Sequence, residues 1–91
     1  MRSVILVPAR PDARAVDDVA DCVRDVYADA AGAMPGPTAL EWVVRDHGTP
    51  GQVGRVVTLS AWRTELASRQ DGARVEVVAD AEEGVVSAWL L

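Results

Sequence analysis

The chain has 91 residues, 49% of them hydrophobic and 25% charged, and a net charge of −5. That length bounds it to a single domain, 1–91, with one modest core, and the apolar content excludes a disordered tail. All nine basic residues are arginine, and the acidic balance sets the chain against nucleic acid and anionic membrane and in favour of a basic protein surface.

The arginine-only, Ala-, Val- and Asp-rich usage resembles the output of a high-GC bacterial genome, so a bacterial source is expected. Cys22 is the single cysteine and has no partner for an internal disulfide, whereas secreted domains this small often need several. The run "VILVPA" is too short for a leader core or a bilayer span, so a cytoplasmic protein is expected.

Residues 3–7, "SVILV", are β-branched and apolar, which predicts a strand buried on both faces and central in its sheet. Asp12 is placed to cap a helix. From Ala13 to about Ala31, Val16, Val19, Ala20, Val23, Val26, Tyr27 and Ala30 recur at helical spacing and form one apolar stripe. Gly32 and "MPGP" close that helix.

The middle admits two readings. "TALEWVVRD" and "QVGRVVTLSA" form a hairpin in one, with Leu40, Trp42 and Val44 on one face and Val53, Val57 and Leu59 on the partner's. In the other, Thr49-Pro50-Gly51-Gln52 is a capping box that launches one helix over 50–69, and the sheet has fewer strands. Gly51, Gly54 and the run Val56-Val57-Thr58 weigh against that helix, so the hairpin is preferred. Ser60 would then cap a second helix over 61–69. "ARVEVVAD" alternates, with Val75, Val77 and Ala79 inward, and "VVSAWLL" forms a last strand.

The expected class is therefore α+β: a two-layer sandwich of an antiparallel sheet with two helices on one face. Its order is the ferredoxin-like β-α-β-β-α-β plus a C-terminal strand. Trp42, Trp62 and Trp89 would supply the bulk of the core in a chain without phenylalanine.

"RDHGTPGQVGR", residues 45–55, contains the only histidine. Without lysine it is no phosphate cradle of the Walker type, and its glycines lack dinucleotide-binding spacing. Glycine and proline at a bend explain it more simply. Were an anion held there, Arg45, His47 and Arg55 would be the groups to hold it. Asp46 is the direct neighbour of His47 and points to the other side of an extended chain, so no catalytic relay is expected. One histidine and one cysteine cannot furnish a zinc site. No catalytic residue, metal or cofactor is expected, and Cys22, beside the apolar stripe, reads as a small buried hydrophobe.

Asp17, Asp21, Asp25 and Asp29 sit four apart, with Asp18 beside them, and stack on one helix face. Like charges at that spacing each cost a few tenths of a kcal/mol, so stability alone would not select the row. Charge runs are usually solvated; these four are also the candidate contacts for a basic protein partner. The C-terminal strand, apolar in both alternating sets, would be tied down as an inner strand or, at a sheet edge, by pairing with a second copy in a homodimer. The reading is a small non-catalytic protein-binding or accessory module using the acidic helix face and the C-terminal strand. The alternative is a small-ligand-binding or cofactor-independent enzyme subunit, its pocket lined by Trp42 and Trp62 with His47 and Arg55 at the mouth.

Overall fold

The computed structural model describes residues 2–33, 39–45 and 53–91. Along them run β1 (Arg2–Val7), α1 (Ala13–Ala33), β2 (Ala39–Val44), β3 (Arg55–Val57), α2 (Leu59–Ala67), β4 (Ala73–Asp80) and β5 (Val85–Leu90). The α+β class and the element order are those expected. Residues 55–57 are extended, which removes the single helix over 50–69.

The five strands lie side by side in the order β1-β4-β5-β2-β3. The sheet is mixed: β2 and β5 are parallel, whereas β1–β4, β4–β5 and β2–β3 are antiparallel. The C-terminal strand is therefore not added at the rim but inserted between β4 and β2. Its doubly apolar pattern fits that place, since Val86, Ala88 and Leu90 are fully buried beneath the helices. Because β5 is bonded on both sides, it has no free edge through which to pair with a second copy.

The similar run in β1 has the opposite fate. Among the described residues β1 pairs only with β4 and forms one edge of the sheet, with Val4 and Leu6 50% and 77% exposed. A β-branched apolar run specifies extended backbone; how many neighbours it acquires is settled by strands far along the chain.

α1 begins where the cap predicts: the Ala15 amide donates to Asp12 Oδ1 at 2.8 Å, satisfying one of the free donors of the first turn. Val16, Ala20, Val23 and Ala30 are buried and Val19, Val26 and Tyr27 pack beside them. Cys22, just off that stripe, is exposed rather than buried.

α2 starts earlier than expected. Thr58, not Ser60, is the cap, accepting a bond from the Ala61 amide at 3.2 Å, so Leu59 opens the helix instead of ending β3. Trp62 and Leu66 are fully buried, and the Trp62 ring lies 4.7 Å from that of Trp42 at 57°. These two rings fill the centre between sheet and helices, the space a Trp-lined pocket would need.

Gly72 turns the chain into β4 at φ +84°, and a Cβ there would come within 2.7 Å of the Val7 carbonyl oxygen. Glycine is required at that point by both conformation and space. Among the described residues no helix is long and apolar enough to cross a membrane.

Candidate functional site

Both helices pack on one side of the sheet, so alternate residues of every strand face away from them. Register lines these up. Val4 of β1 stands opposite Glu76 of β4, Glu76 opposite Trp89 of β5, Trp89 opposite Val43 of β2, and Val43 opposite Val56 of β3. One row thus crosses all five strands.

Its centre is a small apolar cluster. Val43 is 2% exposed although no helix covers it among the described residues, where Trp89 and Gly54 crowd it. A Cβ on Gly54 would sit 2.5 Å from both Trp89 Cζ3 and Val43 Cγ1. The glycine read as part of a bend is thus also a seat for the tryptophan edge. Trp89, expected in the core, is instead half-buried on the opposite face from Trp42 and Trp62. Alternation decides this, since Ala88 and Leu90 take the inward positions.

Around the cluster the surface is charged and apolar by turns. Glu76 Oε1 lies 3.5 Å from Arg74 Nη2, and Glu76 Oε2 lies 3.9 Å from Arg2 Nε. Exposed arginines give such pairs little stabilising worth, about 0–1 kcal/mol; they do fix the Glu76 side chain against the ring row. A cavity of about 210 Å³ is bounded by Arg2, Arg45, Glu76, Val78, Trp89 and Leu91. This is smaller than the ~300–1,000 Å³ of ordinary small-molecule sites and suits a single protruding side chain. A hollow of about 470 Å³ at the β1–β4 end is lined by Leu6, Val7, Asp71, Gly72, Ala73, Arg74 and Leu91, without a nucleophile or an imidazole.

The sequence-derived candidates are distributed differently. Asp17, Asp21, Asp25 and Asp29 are all exposed on α1, on the helix side opposite its buried stripe. Two have cationic neighbours: Asp17 Oδ1 is 3.5 Å from Arg63 Nε of α2, and Asp21 Oδ1 is 4.0 Å from Arg24 Nη1. Arg63 was not legible as a partner, because nothing in sequence sets α2 beside the start of α1. Asp25 and Asp29 make no ion pair among the described residues. No group of three or more His, Cys, Asp or Glu side chains there is arranged to hold a metal ion.

Of the proposed anion-holding set, the two arginines lie on opposite faces of the sheet. Arg45 lies with Trp89 on the uncovered face, whereas Arg55 Nη2 reaches Glu65 Oε1 of α2 at 3.5 Å on the other side of the sheet. Arg55 pairs with Val44 in the β2–β3 ladder, and residues one step apart on a strand point to opposite faces. His47 lies outside the described residues.

No family model, curated protein or solved structure matches this chain. Its function is therefore read from the uncovered sheet face and the acidic row of α1.

Proposed function

We propose that the chain is a small non-catalytic module that binds another protein through the uncovered face of its sheet. The supporting observation is the row Val4, Glu76, Trp89, Val43 and Val56, apolar at every position but the arginine-paired Glu76, on a face that no helix covers among the described residues. Val4 and Val56 are 50% and 64% exposed, and Leu6 beside them is 77% exposed. Single exposed apolar residues are ordinary on protein surfaces; an aligned set centred on a tryptophan and rimmed by arginine is the composition of a contact patch.

The acidic row of α1 plays a separate part in this reading. It lies on the far side of the helix layer, so it does not join the same contact. Its field draws a basic partner towards the molecule and speeds encounter, while burial of the sheet strip provides the hold. On this reading the module works in the cytoplasm of a bacterial cell, with its lone cysteine reduced.

The test begins with a photoreactive residue at position 56 and, in a second protein, at position 25. The partner trapped from position 56 is then purified and its affinity measured directly. Val56→Ser is expected to weaken it at least tenfold while leaving the fold intact. Equal affinity for the two proteins, or trapping only from position 25, overturns the assignment of the sheet face.

A further inference from the structure

The two edges of the sheet are not alike. β3 is three residues long, and Arg55 within it is tied to Glu65. β1 is six residues long and keeps unbroken register with β4 from Arg2 to Val7. It has no bulge, no interior proline and no charge after Arg2. Natural sheets usually guard an exposed edge with such devices, because unpaired backbone N–H and C=O groups attract another strand.

We propose that β1 pairs antiparallel with β1 of a second copy, joining two sheets edge to edge into one. The strand is self-complementary in a single register. With Ile5 opposite Ile5, Val4 faces Leu6 of the second copy on the uncovered side, and Ser3 faces Val7 on the helix side. That arrangement covers the two exposed apolar side chains of the edge. Arg2 then falls opposite Pro8, beyond the paired segment, so no like charges meet. Shifting the register to set Val4 on Val4 brings Arg2 against Leu6 and leaves the apolar match incomplete. A one-residue shift is excluded, because it would oppose residues of different faces.

Charge and area fix the strength. Each copy carries a net charge of −5, which opposes association while contributing nothing inside the joint. One strand pair falls below the ~1,200 Å² of a stable complex, so the dimer is weak and concentration-dependent. Added salt strengthens it by screening the mutual repulsion. A basic peptide laid on the same edge would behave in the opposite way. The proposal shares Val4 and Leu6 with the proposed contact face, but its readout is self-association, which Val56→Ser at the other edge of the sheet should leave unchanged.

Sedimentation over a wide range of protein concentration is the direct measurement. The mass should rise from 9.7 kDa towards twice that value, more readily at 0.5 M than at 0.05 M salt. Val4→Lys, at an exposed position, should remain folded by circular dichroism and stay monomeric. Register is tested in a Cys22→Ser background by disulfide trapping. Val4→Cys chains mixed with Leu6→Cys chains should cross-link faster than either alone. A monomer at every concentration, self-association untouched by Val4→Lys, or faster trapping of Val4→Cys with itself each overturns the proposal.

Discussion

The two faces of this sheet are built from the same five strands, one residue out of step, and they differ in what surrounds them more than in what they contain. On the helix side Val75, Val86 and Leu90 are wholly buried, with Val77 and Trp42 at 2% and 8% exposure. On the other side Val43 is nearly as buried as these, yet Val4, Leu6 and Val56 lie open. Among the described residues, the buried valine is hidden by one half-exposed tryptophan and the backbone of one glycine rather than by a helix. Cover from a single side chain is thin. It excludes water locally and leaves the rest of the strip free to be covered by something else.

The sharpest way to test that contrast is to remove a tryptophan from the helix side. Trp62 is fully buried against Trp42, and Trp62→Ala should cost about 3–5 kcal/mol. A domain of this size has only about 5–15 kcal/mol in total, so the variant should be partly unfolded near 37 °C by thermal melt. Trp62 Nε1 has no hydrogen-bond partner among the described residues. Trp62→Phe removes that buried donor along with part of the ring, and should therefore lose far less than the alanine variant. Equal losses would mean the indole finds a partner for its N–H.

The uncovered face responds more weakly and through strain. In Gly54→Ala the new methyl meets Trp89 and Val43 at 2.5 Å, and one of them must move. Overpacking of this kind costs about 1–3 kcal/mol, read as a fall in the denaturation midpoint. Displacement of the Trp89 ring should accompany it as a change in indole fluorescence. Unchanged stability with unchanged fluorescence would show that Trp89 does not rest on Gly54, and the apolar strip would lose its centre.

The strip also marks where sequence reasoning stops. Local signals were legible: the Asp12 cap, the stripe of α1, the inward set Leu40, Trp42 and Val44, and the alternation of β4 all stand where spacing puts them. β1 and β5 were not separable. Both are apolar in each alternating set, and such a pattern tolerates either an inner place or an edge with one face open. Which strand takes the centre depends on pairing between residues dozens of positions apart, such as Val43 with Trp89 and Ile5 with Val75. Hence the pattern alone puts Trp89 in the core and β1 in the middle of the sheet, whereas Trp89 lies on the uncovered face and β1 at an edge. The acidic row was legible as exposed, because helical spacing alone turns it from the stripe. The Asp17–Arg63 link was not, because it joins two helices.

That row offers the smallest predicted effect, and its sign carries the argument. Asp25 and Asp29 have like charges four residues away and no ion pair among the described residues. Replacing either by asparagine should raise stability by about a few tenths of a kcal/mol at low salt, the worth of a relieved i,i+4 repulsion. Asp17→Asn should lower it by a similar amount, since Asp17 also lies 3.5 Å from Arg63. All three shifts should shrink at high salt. For binding, the same substitutions act on a surface remote from the sheet strip. They should slow association with a basic partner and leave its dissociation rate unchanged, whereas Val56→Ser should do the reverse. A common effect on dissociation would place both surfaces in one contact and dissolve the division of roles between the two layers.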